Sequence, residues 1–497
     1  MVYILGIDLG TTYSCISAYN VIDNENIIFD KIINCLDNND NHIIPSYIKY
    51  SKININNIDK IQYKIGYDAK NKIDSQTYFN IKRFIGKKYN ECISDLKFVP
   101  FEYKNDNNEL FILFDNKWLK PYEISSLYLK QLKIICEEFL NESVKHCVIT
   151  IPAYFNNKQR EETKQAGIDA GFNVLQLLNE PSAAALSYKL NNSKEDNKIL
   201  IFDFGGGTLD ISILNNTNEG LIVVNTHGNN TLGGEDVDME IIKYLLSEFI
   251  KINKLSKEEI IKLCSNKAVL QLLRKECEKA KKELTYINET YIIIDNFYNG
   301  ETLNIKLSLE TLNKLCLNII NKCQKVLDEA LININKNDIN DVILIGGSTR
   351  LRCIKSFIRN YFNNITIHDD IDPDLSVSYG ALIHCFNIYN NNDEIFLIDT
   401  VSHSLGFEDK EGNMQVVIPK NTLKPCSKKK YITTANNNQR IIKLNIYEGE
   451  NKKVKDNIFI KQITYDINKT NLIGENKFEV IYDIDENNIF NISINPL

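Results

Sequence analysis

The tightest constraint on this chain is a local pattern that occurs twice. Tyr3-Ile4-Leu5-Gly6-Ile7-Asp8-Leu9-Gly10-Thr11-Thr12 and Lys198-Ile199-Leu200-Ile201-Phe202-Asp203-Phe204-Gly205-Gly206-Gly207-Thr208 are each an apolar run that ends in Asp-x-Gly and passes into a turn carrying threonine. The two aspartates lie 195 residues apart. That is too long for a solenoid repeat and suits two similar lobes, each with its own sheet. Glycines let backbone N–H groups approach phosphate oxygens closely, threonine hydroxyls add donors, and the carboxylates of Asp8, Asp203 and Asp210 can hold Mg2+ through its waters. Two such turns facing each other would clamp a nucleoside triphosphate. One Asp-x-Gly after a strand is ordinarily a structural turn. The pair carries more weight, because a third glycine turn, Gly346-Gly347-Ser348-Thr349-Arg350, follows the apolar run Asp341 to Ile345.

No G-x-x-x-x-G-K-[ST] occurs, and no G-x-G-x-x-G opens a helix, so P-loop and dinucleotide folds are disfavoured. Around the glycine turns the pattern alternates. Val144 to Ile151 predicts a strand, Asn156 to Gly171 a helix, Val174 to Leu178 a strand and Pro181 to Leu190 a helix. Such alternation implies α/β lobes with parallel sheets and ligands at the carboxyl ends of strands. Ser256-x-x-Glu259 is a capping box. In a helical stretch from Arg274 to Thr285, Glu278, Lys281 and Thr285 share one face, which alone reads as a solvated charged surface.

The remaining composition narrows the class. A length of 497 residues suggests about three compact units. With 43% hydrophobic and 25% charged residues the chain is globular, not disordered. Its net charge of -7 gives no general electrostatic reason to bind nucleic acid or an anionic membrane. No segment has the run of about 20 apolar residues that a membrane span needs, and the start does not read as a signal peptide. Twelve cysteines from Cys15 to Cys426 form no C-x-x-C, as expected of reduced thiols, and the expected compartment is the cytoplasm. Asparagine-rich stretches such as Asn24-Glu25-Asn26, Asn105 to Asn108 and Asn436 to Asn438 read as loop tips.

These motifs together resemble the heat-shock protein 70 chaperones. The matching blocks are Gly6 to Ser14, Ile149-Thr150-Ile151-Pro152-Ala153-Tyr154-Phe155, Asn179-Glu180-Pro181-Ser182-Ala183-Ala184-Ala185, Asp203 to Asp210, and Gly346 to Arg350. The resemblance implies a two-lobed actin-like ATPase domain of duplicated ribonuclease-H-like lobes, followed by an antiparallel β-sandwich that binds peptide. The implied boundaries are 1–390 for the nucleotide domain, with lobes of about 1–195 and 196–390, then a linker at 391–399 and the sandwich at 400–497. Cofactors implied are ATP or ADP and Mg2+, with K+ as a further cation.

Carried over residue by residue, the resemblance implies a catalytic group of Lys82, Glu180, Thr208, Asp8, Asp203 and Asp210, with Asp8 and Asp203 organising Mg2+ through water. Gly10, Thr11, Thr12, Tyr13, Gly205, Gly206 and Gly207 would meet phosphate. Gly233, Gly234, Glu235, Glu278, Lys281, Lys282, Thr285, Gly346, Gly347, Ser348, Arg350 and Asp374 would hold the nucleoside. Lys282 stands where the family usually has an arginine stacked on adenine, and lysine lacks that planar group. Pro152, Arg160, Lys164, Leu397 and Asp399 are implied interdomain relay positions.

Beyond Ile395 to Asp399, three runs alternate with period two, Arg440 to Ile446, Phe478 to Ile484 and Ile489 to Ile494, as strands of a sandwich do. Implied peptide-binding positions are Phe407, Lys410, Ile432, Ala435, Ile442, Leu444 and Phe478, although a plain sandwich core explains any one of them equally well. Lys410, the shortened 468–477 loop and a chain ending at Leu497 without a helical lid depart from the family pattern. Implied partners are unfolded or extended polypeptides, a J-domain co-chaperone and a nucleotide exchange factor. An ATP-regulated adaptor for one dedicated partner is the alternative, and a sugar kinase of the same superfamily leaves the sandwich unexplained.

Overall fold

A computed structural model describes residues 2–21, 27–37, 39–55, 58–71, 73–191, 196–218, 220–369, 372–392, 396–468 and 471–497. The loop tip at 24–26 and linker residues 393–395 lie outside the described residues. Two six-stranded sheets are built alike. In the first, Tyr3–Asp8 is antiparallel to Tyr13–Asn20 on one side and parallel to His146–Ile151 on the other, with Asn173–Asn179 parallel beyond. In the second, Asn197–Phe204 is antiparallel to Leu209–Thr217 and parallel to Asp341–Ile345, with Thr366–His368 parallel beyond. The middles of the central strands are apolar because both faces are covered: Ile4, Leu5, Ile7 and Ile199 to Phe202 are fully buried.

Helices Glu180–Asn191 and Ser376–Asn390 lie between the two sheets, where Ala183, Leu186, Ala381 and Phe386 share a core with Ile4, Val148, Ile201 and Ile343. Close approach here requires glycine. A Cβ on Gly380 would overlap the Ala183 carbonyl, and one on Gly6 would overlap the backbone at Ser378 and Leu382.

The predicted elements are present with shifted ends. The 156–171 helix runs Asn157–Asp169, because Asn156 is its N-cap, accepting from Gln159 N at 2.9 Å. Ser256 and Glu259 form the expected capping box of Lys257–Ser265. The helical stretch through Glu278 and Lys281 ends at Glu283, so Thr285 lies beyond it and donates to the Lys282 carbonyl at 2.6 Å. The apolar run 396–398 is a strand, Phe396–Ile398, that pairs parallel with Gly220–Asn229 and sets Leu397 opposite Leu221.

Residues 405–496 form two packed antiparallel sheets. One has the order Met414–Ile418, Leu405–Glu408, Ile441–Glu448, Ile458–Asp466, and the other Cys426–Thr433, Lys477–Ile484, Phe490–Pro496. The alternating residues Ile442, Ile446, Phe478, Val480 and Tyr482 fill the core between them. The twelve cysteines are all free thiols, ten of them buried.

The sandwich is docked on the ends of both large sheets through a buried polar network. Arg160 is fully buried and donates to Phe155 O, Asn179 Oδ1, Ala153 O and Ser402 Oγ at 2.8–3.1 Å. Asp399 Oδ2 accepts from Asn179 Nδ2 at 2.6 Å and Ser182 Oγ at 3.2 Å, with Lys424 Nζ at 3.5 Å. Both members of the Lys424–Asp399 pair are shut from water, at 5% and 6% exposure. Asn157 N donates to Glu448 at 3.0 Å, Phe490 N to Asn157 Oδ1 at 2.7 Å and Leu177 N to Asn487 Oδ1 at 2.8 Å. Pro152 is buried beside this network, whereas Lys164 is half-buried and forms no ion pair among the described residues.

Removing one partner of a buried pair strands the other charge and costs about 3–5 kcal/mol. Asp399→Asn is therefore expected to loosen the sandwich, read as faster amide hydrogen exchange at Leu221 and Leu397. Adding Lys424→Met should restore most of the protection. Equal exchange in the single and double variants would show that the pair does not couple.

Candidate functional site: the cleft between the two sheets

The carboxyl ends of the two central strands point into one cleft of about 460 Å³. Asp8 is the last residue of the first strand and Asp203 the last but one of the second, and the glycine turns that follow meet across the gap. A Cβ on Gly206 would overlap Thr12 Oγ1, and one on Gly233 would overlap the backbone of Gly206. Each turn is anchored from behind. Ser46 holds the first through Gly10 O at 2.7 Å and Thr12 O at 2.9 Å. Ser348 Oγ donates to Gly205 O at 2.8 Å, and Gly234 N and Glu235 N donate to Gly205 O and Gly206 O at 3.0 and 2.9 Å.

Nearly all the catalytic and nucleotide positions singled out in the sequence line this cleft. The exceptions stand just behind the lining. Asp210 is fully buried and accepts from Tyr154 N at 3.0 Å. Gly207 packs on Thr11, Gly233 N donates to Asp236 at 2.8 Å, and Gly234 O accepts from Lys281 Nζ at 2.9 Å. Thr285, though off the helix, still reaches the lining. The sandwich positions do not converge in this way. Ile442 and Phe478 are core residues, Phe407, Ile432 and Leu444 pack half-buried against that core, Ala435 is exposed, and Lys410 is exposed in the turn after Glu408.

At the floor of the cleft Lys82 Nζ donates to Glu180 Oε1 at 2.5 Å, both side chains being nearly inaccessible. Thr150 Oγ1 donates to Asp8 Oδ1 at 3.1 Å. The acids crowd one another. Burial, then Glu180, pushes Asp8 and Asp210 up to about 7, and burial with Glu180, Asp210 and Asp8 raises Asp203 as well. Thr12 Oγ1 and Asp210 Oδ2 are buried with no hydrogen-bond partner among the described residues. Clustered carboxylates that repel one another, beside glycine turns with an orphaned hydroxyl, fit a polyphosphate with a hydrated cation. Among the described residues no three His, Cys, Asp or Glu side chains converge as direct metal ligands.

The mouth of the cleft is bridged by charge. Glu278 accepts from Tyr13 OH at 2.7 Å and pairs with both Lys70 and Lys282 at 2.8 Å. The two ammonium groups also donate to Tyr13 OH, at 2.8 and 2.7 Å, and each lies 4.7 Å from the Tyr13 ring centroid. Lys282 thus turns its head inward. Deeper, Lys281 pairs with Asp238 at 2.7 Å, and Arg274 with Glu235 at 2.7 Å. Arg83 ties Asp95 and Asp236 together at 2.9 Å each, and Asn80 bonds Glu235.

Asp238, Arg274 and Tyr286 line the cleft and Lys70 bridges Glu278 and Tyr13 at its mouth, and the sequence revealed none of the four. Arg274 precedes Glu278 by one helical turn on the same face, so periodicity could have found it. Lys70 sits on a one-turn helix, Tyr67–Lys70, with no sequence pattern to mark it.

A two-sheet α/β body with a phosphate-type cleft and an attached β-sandwich is the class that these features define. A profile described as Hsp70 protein matches residues 4–496. The heat shock cognate 70 kDa protein 3 of Dictyostelium discoideum is 33% identical over 509 aligned residues, covering 98% of this chain and 77% of that protein. This chain belongs to the Hsp70 family, whose members are ATPases and molecular chaperones. Among the described residues no helix is long and apolar enough to cross a membrane.

Burial pushes Glu278 up, but Lys70, Lys282 and Lys281 outweigh it and hold the carboxyl well below the usual range. A depressed acid stabilises the bridge fully above its ordinary value of 4.5 and loses that contribution only as pH falls through its own lower pKa. Protection of segments 67–70 and 278–285 from amide exchange, corrected for intrinsic rates, should therefore hold from pH 8 to pH 5. Glu278→Gln, which leaves two lysines facing each other, should lose that protection at pH 7.

Proposed function

We propose that this chain is an ATP-hydrolysing chaperone that couples nucleotide state to the grip of its β-sandwich on extended apolar polypeptide. Residues 1–390 act as a two-lobed, actin-like nucleotide domain of duplicated ribonuclease-H-like lobes dividing near 195, residues 391–399 as the linker, and 400–497 as the peptide-holding sandwich. The observation that carries this is the Lys82–Glu180 pair at the floor of a cleft where two equivalent glycine turns meet.

In phosphoryl transfer the protein mostly positions groups and stabilises charge. Thr11, Thr12 and the N–H groups of the glycine turns cradle the phosphates, while Glu180 and Thr208 orient the attacking water. Lys82 offsets charge that builds on the transferred phosphoryl group, and Asp210 adds a further acceptor near the water. Asp8 and Asp203 would hold the waters of a nucleotide-bound Mg2+, which would supply neutralisation of phosphate charge. Glu235, Lys281, Ser348, Arg350 and Asp374 locate the nucleoside.

The second half of the proposal is coupling. Arg160 touches both Asn179, next to catalytic Glu180, and Ser402 of the sandwich, while Asp399 bonds Asn179 and Ser182. A shift at Glu180 thus moves groups that hold the sandwich in place, and linkage requires that peptide and nucleotide affinities respond to each other equally. Phe407, Ile432 and Leu444 are the half-buried apolar groups best placed to meet a peptide. A J-domain protein and an exchange factor would act on the same cycle, in the cytoplasm.

Single-turnover hydrolysis tests both halves. Lys82→Ala is expected to slow hydrolysis by about 10²- to 10³-fold, with ATP affinity changed much less. An extended apolar heptapeptide or a J-domain protein should accelerate the wild-type rate several-fold. Hydrolysis that neither partner changes would remove the coupling and leave only the ATPase.

A further inference from the structure

We propose that Tyr286 is a base-stacking residue of the nucleotide cleft and supplies the flat face that Lys282 cannot; this rests on the nucleotide reading above. Lys282 is spoken for. Its ammonium is held by Tyr13 OH at 2.7 Å and by Glu278 at 2.8 Å, so its head is committed to the bridge over the cleft. A lysine stem also has no planar surface to set against a heterocycle.

Tyr286 stands on the rim of the cleft, next to Thr285. It follows the helix terminus in a turn fixed by its N–H donating to Glu283 O at 2.9 Å. Its side chain lines the cleft together with Thr285, Arg350 and Pro373, and it borders the adjoining hollow of about 270 Å³. The residue is 80% exposed. Among the described residues its ring stacks on no other ring and carries no cation. A large aromatic group with a free face, fixed to the edge of a ligand cleft, is placed to gain from a planar ligand what it now lacks.

Arg350 provides the facing surface. Its guanidinium is locked by Asp374 in a two-point pair of 3.1 and 2.6 Å. Burial disfavours its charge, but Asp374 and Asp372 outweigh burial. A purine entering between the fixed guanidinium and the phenol ring meets a π-face on one side and a planar cation on the other. Stacking on an aromatic ring accepts any base, so Tyr286 raises affinity for the nucleoside without choosing between purines.

The test separates base from phosphate. ADP and inorganic tripolyphosphate, each with Mg2+, are titrated calorimetrically into wild type, Tyr286→Ala and Tyr286→Phe. Tyr286→Ala is expected to weaken ADP about tenfold and leave tripolyphosphate within twofold, while Tyr286→Phe returns ADP binding to the wild-type value. In Tyr286→Trp, ADP should quench the new indole emission, read against the single native Trp118. Unchanged ADP affinity in Tyr286→Ala, or equal loss of ADP and tripolyphosphate, overturns the stacking role alone. Wild-type protein that binds no ADP overturns the nucleotide reading as well.

Discussion

Everything in the cleft depends on how closely two helices lie between two sheets. The Ser376–Asn390 helix rests on the backbone of Glu180–Asn191 where Gly380 meets Ala183, and on the first strand where Gly6 meets Ser378 and Leu382. With no side chain at either glycine, the sheets are held at the spacing of backbone against backbone. That spacing brings the ends of Tyr3–Asp8 and Asn197–Phe204 to a common point. The Glu180–Asn191 helix also begins at the cleft floor, so the same packing delivers Glu180 to Lys82.

The second governing feature is charge placed out of water. Asp8, Asp203, Asp210 and Glu180 gather around one buried lysine, an arrangement that repels itself and favours occupation by cations. At the mouth the balance is reversed, with two lysines sharing Glu278. Opposite signs at floor and mouth make the cleft electrostatically polar from one end to the other. The docked sandwich follows the same logic: Arg160 and Lys424 are buried together and compensated by Asp399 and by carbonyl acceptors.

These two features are connected through Asn179, which ends the strand leading to Glu180 and bonds both Arg160 and Asp399. The strand Phe396–Ile398 extends the second sheet, so the segment joining the two parts of the chain is itself a structural element of the first part. The floor of the cleft and the sandwich are one short polar path apart.

The sequence alone specified the duplicated strand-and-turn units, the strand at 341–345, the cap at Ser256 and the alternating sandwich strands, because each is written in local periodicity or in residues that close a helix or turn. The same local chemistry marked most of the cleft lining, since glycine, threonine and aspartate at the end of a strand have few other uses together. Other features depended on the tertiary structure. Lys70 joins the site only because a segment 208 residues from Glu278 folds onto it, and Tyr286, beside Thr285, is seen at the cleft only once the turn after the helix is in place. Lys282 looks like a conservative change until its ammonium is seen bound to Tyr13 and Glu278. Ile442 and Phe478 alternate like peptide-facing residues, but period two does not say which face of a strand meets the other sheet, and packing put both in the core. Burial, pairing and close approach between segments hundreds of residues apart are properties of the folded chain, and no local pattern encodes them.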